Sequence, residues 1–122
     1  MKAILIDDER LARQELKNLL ASHKDIEVVA ECSDATQAKE KINELKPDII
    51  FCDIQMPGKN GFDVLRELKE KKIQVKVIVL TAYADVKSAI DSAKLGATDF
   101  ISKPYDFDEL LITIRKVLQR DT

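Results

Sequence analysis

Five short, mostly apolar runs alternate with five stretches of helical periodicity, and that alternation leaves few folds open to this chain. Ala3-Ile4-Leu5-Ile6 carries no polar residue, as expected of a strand buried on both faces. Leu11, Ala12, Leu16, Leu19 and Leu20 then recur at helical spacing. Residues 26–30 are apolar and β-branched apart from Glu27 and Ala30, and Ala38, Ile42 and Leu45 mark a helix that closes before Pro47. Residues 48–52 predict a third strand, and Phe62, Leu65 and Leu68 a third helix. Residues 75–80 predict a fourth strand. Val86, Ala89, Ile90 and Ala93 lie on a helix that ends near Gly96, a natural left-handed terminator. Residues 99–101 predict a short fifth strand. Asp106 and Glu109 open the last helix as a capping pair, followed by Leu110, Leu111, Ile114, Val117 and Leu118. A strict (βα)5 order predicts one α/β domain over residues 1–122, a doubly wound parallel sheet with helices on both faces.

Composition narrows the function classes. The chain is 45% hydrophobic and 34% charged with three Gly and three Pro, which fits a packed domain and excludes a low-complexity one. A net charge of −2 argues against a nucleic-acid surface. The apolar runs are strand-sized, too short to span a bilayer, and the start lacks the pattern of a secretion signal. A cytoplasmic location is expected. One His and two distant Cys make no zinc site.

In such sheets ligands bind outside the carboxyl ends of the strands. Asp7-Asp8-Glu9 follows the first strand, Asp53 the third, Thr81 the fourth and Lys103-Pro104 the fifth. Each has a bland account alone. Asp7 and Asp8 could cap the first helix, Asp53 could be a turn residue, Thr81 could cap the next helix, and Lys103 could be a solvated charge. Together they are harder to dismiss, because like charges at one edge repel unless a cation offsets them. A hard cation such as Mg²⁺ suits a few carboxylates plus waters and phosphate oxygens. Carboxylates, Mg²⁺, a hydroxyl and a lysine make a phosphoryl-transfer set with Asp53 as nucleophile. No Gly-rich nucleotide loop is present.

Four segments carry a resemblance: I-L-I-D-D-E (4–9), D-I-I-F-C-D-I-Q-M-P-G-K-N-G (48–61), V-I-V-L-T-A-Y (77–83) and L-G-A-T-D-F-I-S-K-P (95–104). In this order and spacing the chain resembles a bacterial response-regulator receiver domain, the chemotaxis-type phosphoacceptor module of two-component phosphorelays. The resemblance implies a flavodoxin-like sheet of order 2-1-3-4-5. It implies that Asp53 accepts the phosphoryl group. Asp8, Asp53 and the backbone carbonyl of Gln55 would bind Mg²⁺, with Asp7 acting through water and Mn²⁺ able to substitute. Thr81 and Lys103 would contact the phosphoryl oxygens, and the peptide before Pro104 would be cis. Thr81 and Phe100 would then switch the surface of the fourth helix, fifth strand and fifth helix, with Gln55 and Tyr83 modulating phosphoryl loss. Such a domain catalyses its own phosphorylation and dephosphorylation without turning over an external substrate.

The implied partners are a histidine kinase or phosphotransfer protein upstream, docking beside Asp53 near Leu11, Ala12 and Glu15, and an output domain or effector downstream. No output domain is expected within these residues, no nucleic acid or membrane is contacted, and the state is a monomer or a phosphorylation-dependent dimer through the switch face. Pairing of Asp99 with Arg115 or Arg120 there is more simply ordinary surface ion pairing. Three rivals fare worse. A haloacid-dehalogenase-type phosphatase would want an acid where Gln55 stands, and a flavodoxin-like electron carrier would want a hydroxyl- and Gly-rich loop where Asp7-Asp8-Glu9 stands. A receiver that works without phosphorylation would be expected to lack active-site positions that are present here. Asn60-Gly61 suits a turn needing positive φ. His23 reads as a solvent-facing residue. With the borrowed strand order Cys32 and Cys52 lie two strands apart, about 9 Å or more, too far for a disulfide.

Overall fold

The computed structural model describes residues 1–54, 61–82 and 86–119. Five strands and five helices alternate: β1 (Lys2–Ile6), α1 (Arg10–Leu20), β2 (Glu27–Cys32), α2 (Ala35–Leu45), β3 (Ile49–Asp53), α3 (Gly61–Glu70), β4 (Lys76–Thr81), α4 (Val86–Lys94), β5 (Asp99–Ser102) and α5 (Phe107–Gln119). The strands pair in parallel in the order β2-β1-β3-β4-β5. β2 runs one residue later at its start and two later at its end than its apolar run. Ile26 N–H is taken by the turn, donating to His23 O, and the ladder opens with Glu27 N–H donating to Met1 O at 2.8 Å. At the far end Glu31 continues the strand because an edge strand tolerates an exposed, charged residue.

Two apolar layers cover the sheet. On one face Ile4, Ile6, Ile50, Cys52, Val77 and Val79 pack against α2 and α3 through Ala38, Ile42, Val64 and Leu65. On the other, Leu5, Ile49, Phe51, Ile78 and Leu80 pack against α1 and α5 through Leu16, Leu20, Leu110 and Ile114. Neighbours alternate between layers because successive strand side chains point to opposite faces. β3 lies between β1 and β4, and all five of its residues are buried. The uninterrupted apolar pattern of residues 49–52 follows from that two-sided burial.

Helix ends are closed by side chains and by tight backbone turns. Asp34 Oδ1 accepts from Gln37 N–H at 2.8 Å and Asp106 Oδ1 from Glu109 N–H at 2.7 Å, so Asp106 caps α5 as its sequence spacing predicts. Gly96 ends α4 with φ 94°, while Gly96 N–H donates to Ala93 O and Ala97 N–H to Ser92 O. Lys72 ends α3 in the same way, with Lys72 N–H on Lys69 O and Ile73 N–H on Leu68 O, but its φ of 54° is unfavourable for a residue with a Cβ. Lys72→Gly should therefore stabilise the domain by about 1 kcal/mol, raising Tm by about 4 °C in a thermal melt. An unchanged or lower Tm would show that the left-handed turn carries no strain.

Cys32 and Cys52 are both buried and free, and both face Ile6 in register, one from each side. Two strand spacings, roughly 9.5 Å, separate them. Burial pushes the Cys32 thiol up to about 11, and burial with the neighbouring Asp53 charge raises Cys52 further. Neither thiol of the native protein should react with a thiol-specific disulfide reagent within minutes at mildly alkaline pH. Both should react at once in denaturant. Fast labelling of the folded protein would contradict this burial.

Candidate functional site

Parallel pairing puts the carboxyl ends of all five strands on one edge, and the charged residues gather there. Asp7 follows β1, Asp53 ends β3, Thr81 ends β4 and Lys103 follows β5. Asp7 and Asp53 are buried to 5% exposure and Thr81 completely. Asp7, Asp8 and Asp53 each bring a carboxylate oxygen within 4.8 Å of the others, with Asp8 the most open of the three. Residues 96 positions apart meet here: Lys103 Nζ lies 2.8 Å from Asp7 Oδ2 and 3.2 Å from Asp53 Oδ2.

The register sorts these groups by face. Asp53 pairs with Leu80, so it leans toward the α1 and α5 layer. Thr81 shares the alternation of Val77 and Val79, and Phe100 pairs with Val79, so both lean toward the α2 and α3 layer. The edge therefore presents carboxylates on one side and a hydroxyl on the other. Lys103 joins them, since its N–H donates to Thr81 O at 2.7 Å. The Lys103–Pro104 peptide is cis.

Burial alone would lower the pKa of the Lys103 ammonium. The hydrogen bond to Asp7 and the Asp53 and Asp7 charges outweigh that and raise it above the ordinary 10.5. A raised cation contributes stability that is fully present below the ordinary value and lost only as pH rises through the raised one. Lys103 thus stays charged across the neutral range, opposite three acids.

Asp7 does not cap α1. The capping position is Glu9, with no side-chain bond, while Asp7 Oδ1 accepts from Glu9 N–H at 2.9 Å and closes the turn ahead of the helix. The turn expected at Asn60-Gly61 lies partly outside the described residues, and within them Gly61 opens α3 and its N–H donates to Ile54 O at 3.1 Å. A Cβ there would lie 2.6 Å from Asp53 O and 2.7 Å from Ile54 Cα, so close approach is what demands glycine. Gln55, Lys59, Asn60, Tyr83 and Arg120 lie outside the described residues. Two residues escape notice in the sequence. Arg13 Nη1 donates to Asp7 O at 2.6 Å, and Arg13 Nε meets Glu31 Oε1 at 3.3 Å. The available signal is that helical side chains lean toward the N-terminus, which aims an arginine in the first turn of α1 back at the strand end.

Beside Lys103 a cleft of about 350 Å³ is lined by Ala12, Glu15, Ala82, Lys103, Pro104 and Tyr105. Leu11, on α1, is 81% exposed. Among the described residues no helix is long and apolar enough to cross a membrane.

Comparison with known proteins agrees with this geometry. The family model for the response regulator receiver domain matches residues 3–115. A response regulatory protein of Vibrio cholerae is 40% identical over 98% of the chain, which spans 49% of that protein. The sensory transduction protein LytT of Bacillus anthracis is 37% identical over 95% of the chain, 46% of its own length. The chain thus spans about half of these relatives, yet it covers 97% of the chemotaxis protein CheY of Bacillus subtilis at 36% identity and 96% of its own length. The response regulator domain of Thermotoga maritima CheB superposes with a TM-score of 0.90 at 33% identity, covering 100% of this chain and 98% of that one. The chain belongs to the response-regulator receiver domains, the signalling domains of two-component systems.

Proposed function

We propose that this receiver domain accepts a phosphoryl group on Asp53 in a Mg²⁺-dependent reaction. The observation that carries the reading is the Lys103 ammonium bridging Asp7 and Asp53 inside a cluster of three carboxylates at one strand edge. Hard oxygen donors packed this closely suit a hard divalent cation. Asp8, Asp53 and the Gln55 carbonyl would hold Mg²⁺. Asp7, whose two oxygens already serve Glu9 N–H and Lys103, would act through water. When bound, Mg²⁺ supplies positive charge against the phosphoryl oxygens.

The chain's own groups supply the rest. An Asp53 carboxylate oxygen attacks phosphorus as the phosphorus–nitrogen bond of a phosphohistidine breaks, and its electron pair leaves with the imidazole. Lys103 carries its charge to the oxygens of the new acyl phosphate, and the Thr81 hydroxyl contacts them from the opposite layer. Phosphorylation adds charge and acceptor oxygens at the junction of the two layers. Displacement of Thr81 with inward rotation of half-buried Phe100 would remodel α4, β5 and α5, a shift between two packings. Ile90, Phe107 and Ile112 on α4 and α5 are exposed apolar residues that suit a partner or a second copy there. The donor, a histidine kinase or phosphotransfer protein, would dock on Leu11 and the cleft at Ala12 and Glu15. Output passes to a further domain or an effector, and a cytoplasmic location follows from the same reading.

Intact mass after incubation with a small acyl phosphate tests the proposal. One phosphoryl adduct should appear with Mg²⁺ and none with chelator. No adduct at any donor concentration, together with no response to beryllofluoride, would refute it. Asp8→Ala should weaken Mg²⁺ binding by about tenfold or more in a titration, and undiminished affinity would remove Asp8 from the site.

A further inference from the structure

Every polar group of Asp7 is engaged. Its N–H donates to Cys32 O at 3.0 Å, Oδ1 accepts from Glu9 N–H, Oδ2 accepts from Lys103, and its carbonyl accepts from Arg13 Nη1 at 2.6 Å. Asp8 is the contrast. Among the described residues no hydrogen bond or ion pair holds its carboxylate, although that carboxylate completes the cluster. The direction of Asp8 is therefore inherited from the Asp7–Asp8 peptide plane, and the carbonyl of that plane is the atom Arg13 holds.

Arg13 is well placed to hold it. Its N–H donates to Glu9 O at 3.1 Å inside the first turn of α1, and its side chain is only 15% exposed. Nε meets Glu31 Oε1, and the other Glu31 oxygen meets Lys17 Nζ at 3.4 Å. A guanidinium stays charged and offers its donors in a rigid fork, so one anchored arm aims the other.

We propose that Arg13 is a positioning residue of the acidic cluster, fixing the Asp7–Asp8 peptide so that Asp8 stands beside Asp53 where the two can hold one divalent cation. The proposal deepens the Mg²⁺ reading and rests on it. A merely structural account would have Arg13 tie α1 to β2, a task that Lys17 shares through Glu31. The two accounts differ in sign. Arg13 is a cation beside an acidic site, so deleting its charge alone would tighten cation binding, whereas loss of positioning weakens it.

The test titrates Mg²⁺ into the full chain as wild type, Arg13→Ala and Lys17→Ala, and records the Asp7 carbonyl and Asp8 amide resonances of each without metal. Arg13→Ala should bind Mg²⁺ about tenfold more weakly, as expected for loss of an outer-shell partner, and should move both resonances. Lys17→Ala, which removes a positive charge from the same Glu31, should leave affinity and resonances essentially unchanged. Equal or tighter binding by Arg13→Ala, or unmoved resonances in it, would overturn the proposal. Should the wild type bind no Mg²⁺ while Arg13→Ala still moves the resonances, the cation reading falls and the positioning of the Asp7–Asp8 peptide by Arg13 stands.

Discussion

Asp53→Ala should take up no phosphoryl group under conditions that convert the wild type to a single adduct, and its melting curve should stay cooperative. The side chain is buried beside Lys103, but Lys103 keeps Asp7 at 2.8 Å, so removing Asp53 leaves no uncompensated cation. Deleting the lysine has a different effect. Lys103→Ala leaves Asp7 and Asp53, both nearly buried, facing Asp8 without the ammonium that now bridges two of them. Breaking one partner out of a buried ionic group costs about 3 kcal/mol. The variant should therefore melt well below the wild type in chelator, with Mg²⁺ restoring much of the difference. It should still take up a phosphoryl group, because Asp53 remains, while the response of α4, β5 and α5 is impaired. An adduct on Asp53→Ala would move the acceptor elsewhere. A Lys103→Ala melt insensitive to Mg²⁺ would separate the lysine from the cation site.

Of the two described glycines, Gly61 is the one where adding a methyl is expected to be strongly damaging. The new Cβ would meet two backbone atoms, Asp53 O and Ile54 Cα, at 2.6 and 2.7 Å, and Cys52 Sγ at 3.0 Å. Backbone cannot rotate away as a side chain can, so the start of α3 must retreat from the end of β3. Overpacking of this kind costs about 3 kcal/mol, a fall in Tm of roughly 10 °C. Phosphoryl uptake should slow as well, since the carbonyl being pushed belongs to Asp53. Gly96→Ala is the control. Nothing lies within 4 Å of its Cβ, and its cost comes only from a φ of 94°, far from the acidic edge. It should lower Tm without altering uptake. A Gly61→Ala protein with wild-type Tm would mean that α3 and β3 yield more easily than their contact implies.

These contrasts show how much of the molecule its sequence makes legible. The elements are local in origin: an all-apolar run such as residues 3–6 must be buried on both sides, and Asp106 with Glu109 is a helix start wherever it occurs. The convergence of Asp7, Asp53, Thr81 and Lys103 follows once strand ends share an edge, although the strand order itself comes from resemblance. What escapes is tertiary. Gly61 looks like a turn glycine because Asn60-Gly61 is a turn dipeptide, and nothing local reports that a β3 carbonyl lies against it. Lys72 carries no sign that it adopts a left-handed conformation. Asp7 and Asp8 look alike in the sequence, yet one is held at every polar atom and the other by none among the described residues. Arg13 reads as an ordinary helix charge until the strand end it covers is known.

The complete burial of β3 sets how the acidic edge can fail. Hydrogen exchange in such a domain spans a range, from freely fraying segments to amides that open only when the whole chain unfolds. β3 is bonded on both sides and covered by both helical layers, so the amides of residues 50–52 belong to the slowest class. β2 and β5, each with one open side, belong to a faster one. The carboxylate of Asp53 thus stands on the part of the protein that moves least, whereas Lys103 and Phe100 are carried by an edge strand. Fluctuations of β5 can reorganise the groups around the acceptor while the acceptor stays fixed.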